Sequence, residues 1–438
     1  MSARLDPPET QEAPLVAETL IDPVTDLPTV PLLLDRMREG LKENGYLSIL
    51  SVNVHQALPD ERITGWQAFD AIVRDVGRFL ISVRAVDLRR EDFVSEVMIS
   101  GNAFVILISP PRRKSRLQVQ DLQRIRDRLH GRLVRFLSRR LPSDVAGRFP
   151  CFIGCAIVEN DPSVRPERLV YRALDEAHAD SLRERDRLAF TAASNLRLVI
   201  ENGLVSTVYQ PVVDIRAARI IGYEALSRVV GGHFENVDSL FRAAQQSDAV
   251  WKLERLCRER ALAGAVALPT DMLLFLNVEP ESIDDPQFRS EHTLRLLERA
   301  GLAPDRIVLE VTEHSAVHDF SVFRQTLSYF RSRGFKLGID DMGSAYAGLQ
   351  AVAEMQPDFL KVDISLVRDL NRNLLKRELI ATMQRFSGQV GIQLIAEGIE
   401  KREELETLLE IGVTMGQGFL FAKPAAPLPS ADLSLIPH

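Results

Sequence analysis

Cysteine is scarce in this chain, with three among 438 residues. So thin a supply excludes a disulfide-stapled secreted scaffold and agrees with a reducing compartment. Cys151 and Cys155 stand close together in the apolar run FPCFIGCAIVE. Four residues of strand span roughly 13 Å, too far for a disulfide, so both read as small core residues on one strand face. Long apolar runs are missing too. A membrane span needs about 18 apolar residues or more, and the best runs, such as Phe104 to Ser109, stop far short. No membrane insertion is expected. The opening MSARLDPPETQEAPLVAETL lacks the basic start and apolar centre of a secretion signal. Residues 1–21 read instead as a disordered Pro/Glu leader, and the chain is expected to be cytoplasmic. Nor is positive charge in excess: 54 Lys and Arg stand against 61 Asp and Glu, a net charge of -7. That balance argues against a protein that coats nucleic acid. What remains is ordinary globular composition, 45% hydrophobic and 26% charged, at a length that suggests two or three domains.

The N-terminal half opens at Asp22 with DPVTDLPTVPLLLDRMREGL, a turn-rich entry running into an amphipathic helix. Strands are expected at Tyr46 to Val54, Glu96 to Ser109 and Phe149 to Val158, with helical stretches between them. The stretch from Arg112 to Arg140 is densely basic. Its Leu122, Ile125, Leu129, Leu133, Phe136 and Leu137 recur at helical spacing, so one face is core and the arginines form a solvated face. Aromatic residues are not interleaved with the charges, so no nucleic-acid polymer is expected as a partner. A helix from about Pro166 towards Ile200 is expected to make a stiff connection. The boundaries that follow are a domain at 22–185, a helical linker at 186–194 and a second domain at 195–430.

From about Asn195 the rhythm changes. Short β-like runs alternate with helical stretches: VSTVYQPVVDI, ARIIGYEALSRV, MLLFLNVEP, RIVLEVTE, KLGIDDMG, DFLKVDIS, VGIQLIAEGIE and GQGFLFAKP. This period specifies a parallel α/β barrel. An open doubly wound sheet is the alternative, but no Gly-rich phosphate fingerprint follows a first strand.

The polar residues of these runs carry the chemistry. The runs end in Glu224, Asn277, Glu310 with Glu313, Asp340 with Asp341, Lys361, Glu397 and Gln417. In a βα barrel the strand C-termini open on one face, so these groups converge on one mouth. Several carboxylates gathered there repel one another unless cations neutralise them. The ligands are oxygens, with no Cys or His at the strand ends, which suits Mg²⁺ or Mn²⁺ and fits zinc poorly. Asp340 and Asp341 could each serve a different ion, and two ions side by side are a common device for in-line attack on a phosphodiester. Lys361 would then neutralise charge on the nucleophile or on phosphorus. His314 and His318 form a rival zinc pair at i, i+4, expected to point away from the mouth.

These residues match a known pattern. The second half resembles an EAL domain, the barrel phosphodiesterase that linearises the bacterial messenger cyclic di-GMP. The triplet stands as Glu224-Ala225-Leu226, and further matches are YQP at Tyr209, FLN ending at Asn277 and LEVTE from Leu309 to Glu313. Then follow Asp340-Asp341, LKVD from Leu360, AEGIE from Ala396 and QGFLFAKP from Gln417. The resemblance implies a modified TIM-type (βα)8 barrel, two ions of Mg²⁺ or Mn²⁺, and a homodimer through the EAL domain. It gives Glu224, Asn277, Glu310 and Asp340 one cation and Asp341 the second. Lys361 would contact the attacking water, Glu397 would act as general base or orient that water, and Glu313 would steady the loop after Asp341. Gln210, Leu226, Arg228, Asp363, Glu400 and Gln417 would contact the substrate, with Arg228 on a phosphate. One departure stands out. The family's loop DDFGTGYSSL reads DDMGSAYAGL here, with Met342 for an aromatic, Ser344 for threonine and Ala345 for glycine. Alanine removes positive-φ freedom at that point.

The first half is similar, more faintly, to a GGDEF domain, an α+β cyclase-type fold. The entry DPVTDLPTVPLLLDRM matches its opening and ALDEAHADS its closing helix. The signature hairpin aligns with Ser100-Gly101-Asn102-Ala103-Phe104, its acidic pair replaced by Asn102 and Ala103. SVNVH, from Ser51, has no carboxylate, so Mg²⁺-activated GTP has nothing to hold it. The inhibitory Arg-x-x-Asp is missing from its register, and Arg89 to Asp92 fits it two residues early. The expectation is a catalytically dead module of regulation or dimerisation in front of a cyclic di-GMP phosphodiesterase. The rival readings are a receptor that binds cyclic di-GMP without cleaving it, and a scaffold that binds no nucleotide.

Overall fold

Strand β1 (Tyr46–Val54) is buried at all nine positions, which requires cover on both faces of its sheet. Its alternation divides the cover. Leu50, Val52 and Val54 pack with Ile72, Val76, Leu129 and Leu133, from helices Glu61–Val83 and Val119–Arg140. Leu47 and Ile49 pack with Met37, Leu41, Ala173 and Ala177, from helices Val30–Asn44 and Pro166–Asn202. The computed structural model describes residues 20–55, 61–83, 88–89, 91–97, 102–111, 116–141, 149–283, 285–312, 320–342 and 348–436. The chain divides into two units, Met1–Thr191 and Ala192–His438.

In the first unit β1 lies beside β2 (Phe93–Glu96), β3 (Ala103–Leu107) and β4 (Cys151–Glu159) in the order β2-β3-β1-β4. All three pairings are antiparallel. With the helices Glu61–Val83 and Val119–Arg140 this is a β-α-β-β-α-β succession. Of the single strand expected from Glu96 to Ser109, Glu96 ends β2 and Ala103–Leu107 forms β3, which runs antiparallel to it. The basic helix begins at Val119. Leu20 and Ile21, expected in the leader, already pair with Thr29 and Pro28. The helix Pro166–Asn202 is continuous through 186–194. Cys151 and Cys155 are free thiols on β4, and burial pushes the Cys151 thiol up to about 12.

In the second unit eight strands close into a barrel: β5 (Val205–Asp214), β6 (Arg219–Val229), β7 (Leu273–Asn277), β8 (Ile307–Thr312), β9 (Lys336–Met342), β10 (Phe359–Val362), β11 (Gln393–Ala396) and β12 (Met415–Gly416). The expectation of an all-parallel barrel needs one correction. β5 runs antiparallel to both β6 and β12. Only four residues, 215–218, separate β5 from β6, enough for a hairpin and too few for a parallel crossover. A layer of Val212, Ile221, Phe275, Val308, Phe359 and Ile395 fills the barrel interior. Side chains two apart share a strand face, so Asn277, Glu310, Lys361 and Glu397 come next along the interior after Phe275, Val308, Phe359 and Ile395.

The entry of the first unit is anchored by a buried carboxyl. Thr25 Oγ1 lies 2.6 Å from Glu96 Oε2 and 2.9 Å from Asp22 Oδ2. Burial first, then the Asp22 charge, push the Glu96 carboxyl up to about 7 against the Thr25 hydrogen bond. A folded-state value above the unfolded one favours the protonated form. Its stabilisation is full below the unfolded value near 4.5 and declines as pH rises to about 7. Urea unfolding at a series of pH values should therefore show wild type losing stability relative to Glu96→Gln across that window. Parallel curves for the two proteins would contradict the assignment.

Candidate active site

Lys361 is 0% exposed and its Nζ is ringed by carboxylates. Glu397 Oε1 lies at 2.7 Å, Glu224 Oε2 and Glu310 Oε1 at 3.2 Å each, and Asp340 Oδ1 at 3.5 Å. Five strands contribute these groups: β6, β8, β9, β10 and the end of β11. The backbone register explains the meeting, since Asn277 pairs with Glu310 and Gln210 with Glu224 across neighbouring strands. A relay of amides secures Glu224. Asn277 Nδ2 donates to Glu224 Oε1 at 2.8 Å, and Gln417 Nε2 donates to Glu224 Oε2 at 2.6 Å. Gln417 Nε2 also lies 3.0 Å from Gln210 Oε1, and Gln210 Nε2 donates to the Ala422 carbonyl.

The charges do not balance. With Asp341 the cluster holds five carboxylates against one ammonium, an excess of four negative charges when all five are ionised. Burial raises the cost of each carboxylate, but Lys361 and the amides of Asn277 and Gln417 outweigh it at Glu224, which is held below the usual range. Glu310 has no such help. Burial and the neighbouring Glu224, Asp340 and Glu397 push it well above the usual range despite Lys361. Burial, then Asp340, moves Glu397 the same way, and burial with Asp340 and Asp363 brings Asp341 to about 7. Lys361 stays charged, because four carboxylates outweigh its own burial.

The donor set fits a hard divalent cation. Both oxygens of Glu310 are buried with no aligned hydrogen bond among the described residues, and Lys361 Nζ stands 3.2 Å from Oε1. Ligand oxygens of Glu224, Glu310 and Asp340 lie within 4.8 Å of one another, as do those of Asp340, Asp341 and Glu397. Asp340 thus belongs to both groups, and Glu397 joins that of Asp341. Carboxylate oxygens gathered at this spacing suit Mg²⁺ or Mn²⁺.

The other expected site residues stand outside this cluster. Leu226 is half-buried and Arg228 exposed on β6, where Arg228 donates to the Ser227 carbonyl. Asp363 caps the turn after β10 by accepting from Ser365 N, and Glu400 pairs with Arg368 at 3.4 Å. Glu313, the histidines His314 and His318, and positions 343–347 of the altered loop lie outside the described residues. Two positions escaped the sequence reading. Gly398 has φ +63°, and a Cβ there would meet Ile364 Cγ1 at 2.3 Å, so the AEGIE turn admits only glycine. Glu404 is buried beneath the same turn. Its spacing gave no signal, because Lys401 occupies the helix N-cap position where a Ser or Thr would have marked a capping box.

Comparison with known proteins agrees with the barrel. The family described as EAL domain matches residues 193–424, just over half of the chain. PdeI of Escherichia coli, named a probable cyclic di-GMP phosphodiesterase, is 28% identical over 242 residues, 53% of this chain and 30% of PdeI. An uncharacterized protein of Mycobacterium tuberculosis is 27% identical over 350 residues, 74% of this chain and 54% of that protein. The chain therefore spans about half the length, or less, of these relatives. The crystal structure of the FimX EAL domain from Pseudomonas aeruginosa bound to c-di-GMP shares the fold, with a TM-score of 0.50 at 21% identity over 55% of this chain and 99% of that one.

The charge imbalance gives a thermal test. In chelator at pH 8, Glu310→Gln should melt above wild type, by about 2–4 °C for each kcal/mol of relieved repulsion, and should lose the rise in melting temperature that Mg²⁺ gives wild type. Lys361→Met should melt lower, because it strands the carboxylates. A Glu310→Gln protein that melts lower yet keeps the full Mg²⁺ response would contradict the assignment.

Proposed function

The chain belongs to the EAL domain family, and on that premise we propose that it hydrolyses one phosphodiester of cyclic di-GMP to give linear pGpG in a metal-dependent reaction. The observation that carries the reading is Glu310, a buried carboxylate set beside Glu224 and Asp340 with Lys361 Nζ, 3.2 Å from Oε1, as the cation shared among them. The name of PdeI supports the substrate. Glu224, Asn277, Glu310 and Asp340 would hold one ion of Mg²⁺ or Mn²⁺, and Asp341 the second with Asp340 and Glu397 at hand. When bound, the ions supply Lewis acidity to the phosphate and lower the pKa of water.

The protein side chains do the rest. Lys361 places a fixed positive charge where negative charge builds on the phosphoryl oxygens, and contacts the attacking water. Glu397 takes a proton from that water or orients it; its raised pKa is the direction a base working near neutral pH needs. Gln417 keeps Oε1 buried without a donor among the described residues, an acceptor for a substrate N–H. Arg228 offers its planar fork to a phosphate, and Gln210, Leu226, Asp363 and Glu400 complete the substrate contacts. The family resemblance would give Glu313 the role of steadying the loop after Asp341. The substitutions of DDMGSAYAGL favour one rival, a receptor that holds cyclic di-GMP without cleaving it.

We read the first unit as a GGDEF-like, cyclase-type domain without catalytic function, in a regulatory or dimerisation role. Its strand order suits that fold, and SVNVH on β1 offers the amide of Asn53 but no carboxylate. That side chain is committed to Ser51, Ser181 and His178. Asp92 accepts from the backbone N–H groups of Arg89 and Ser109, so the displaced Arg89-to-Asp92 pattern is part of a turn. No helix among the described residues is long and apolar enough to cross a membrane, and a cytoplasmic placement belongs to this reading.

A homodimer through the barrel unit completes it. Helix Leu374–Val390 exposes Leu375, Leu379, Phe386 and Val390, a stripe symmetric about its centre. Two copies packed antiparallel would set Glu378 against the partner's Arg385. Sedimentation should show a dimer that Leu379→Glu dissociates; an unchanged mass would remove this surface.

Turnover decides between enzyme and receptor. Wild type with Mg²⁺ should yield pGpG, and Glu224→Ala should lose at least about 100-fold in rate while melting cooperatively. Recovery of intact cyclic di-GMP bound to wild type would put the receptor in the enzyme's place, and absence of binding would sink both.

A further inference from the structure

The mouth loops after β10 and β11 meet on one buried carboxylate that belongs to neither. Glu404 is 1% exposed and sits in the first turn of helix Arg402–Glu410. Its Oε2 accepts from the backbone N–H groups of Glu400 and Lys401, each at 3.1 Å. Its Oε1 accepts from the backbone N–H of Asp369 at 2.9 Å. A helix-capping role accounts for the Lys401 bond. It does not account for Asp369, 35 residues away on the other loop, where the backbone is left-handed with φ 59°.

The same two loops touch at three more points. Lys401 Nζ pairs with Asp369 at 2.5 Å, Arg368 with Glu400 at 3.4 Å, and Gly398 packs on Ile364. Glu397 opens the second loop, and its N–H donates to the Val362 carbonyl at the end of β10. Three groups with assigned roles, Asp363, Glu397 and Glu400, therefore stand on two segments tied together beneath the mouth.

We propose that Glu404 is a positioning residue: its carboxylate fixes the loop from Glu397 to Lys401 against the loop from Asp363 to Asp369, and so holds Glu397 and Glu400 in register with the nucleotide. This rests on the phosphodiesterase reading above. Three N–H donors converge on two oxygens, which only a carboxylate can satisfy fully. An amide of the same size keeps one acceptor oxygen and turns an NH₂ group towards donors, so at least one of the three bonds is lost.

Glu404→Gln in the full chain tests this with two readouts. In turnover of cyclic di-GMP, kcat should fall about tenfold or more, and the melting temperature should stay within a few degrees of wild type. In hydrogen exchange without nucleotide, the amides of 397–401 and 363–369 should lose protection while the remaining barrel strands keep theirs. Unchanged kinetics would overturn the proposal. So would loss of protection across the whole barrel, which marks a merely structural residue. If wild type itself yields no pGpG, the phosphodiesterase reading fails and the exchange data decide the clamp alone: selective loss at both loops sustains it, and unchanged protection overturns it.

Discussion

A single buried ammonium governs the second unit. Lys361 has four carboxylates within 2.7 to 3.5 Å, in a place from which bulk water is excluded. There the attraction of opposite charges and the cost of desolvation are both large. One positive charge cannot satisfy five acids, and the shortfall appears as carboxylates displaced towards protonation at Glu310, Glu397, Asp340 and Asp341. Glu224 escapes because the amides of Asn277 and Gln417 stabilise its charge. The same imbalance makes the mouth receptive to divalent cations.

The fold delivers these groups by a simple rule. Residues two apart on a strand face the same way, so an apolar plug and a polar mouth come from consecutive inward positions. Phe275 and Asn277, Val308 and Glu310, Phe359 and Lys361, Ile395 and Glu397 are four such pairs. The apolar partner packs the barrel interior and so fixes the height of the polar one. The plug is thereby part of the site: Phe275 and Phe359 stack edge-on at 5.3 Å, directly below Asn277 and Lys361. Loss of packing there would move a charged group as well as open a cavity.

Much of this was legible in the sequence because short apolar runs ending in polar residues carry both the strand and its chemistry. Glu224, Asn277, Glu310, Asp340, Lys361 and Glu397 could be named from their place at the ends of such runs. Other features escape a reading by apolar runs, and one depends on contacts between distant segments. The reversed direction of β5 follows from the short 215–218 connection, which a reading by β-then-α rhythm passes over. The break between β2 and β3 is signalled by Ser100-Gly101-Asn102, which a single strand from Glu96 to Ser109 passes over. Glu404 looked like one of several acids on a polar helix, and its burial follows only from the meeting of loops 35 residues apart. Asp340 read as a ligand for one ion, whereas its oxygens lie close to both candidate groups.

On the proposed phosphodiesterase reading this mouth holds two divalent ions, and the most direct measurement is their number. Equilibrium dialysis of the full chain against Mn²⁺, in the presence of cyclic di-GMP, counts the ions retained at saturation. That reading predicts two per chain, and none in a variant that lacks both Glu310 and Asp340. Saturation at one ion, or no saturable binding at all, would contradict it.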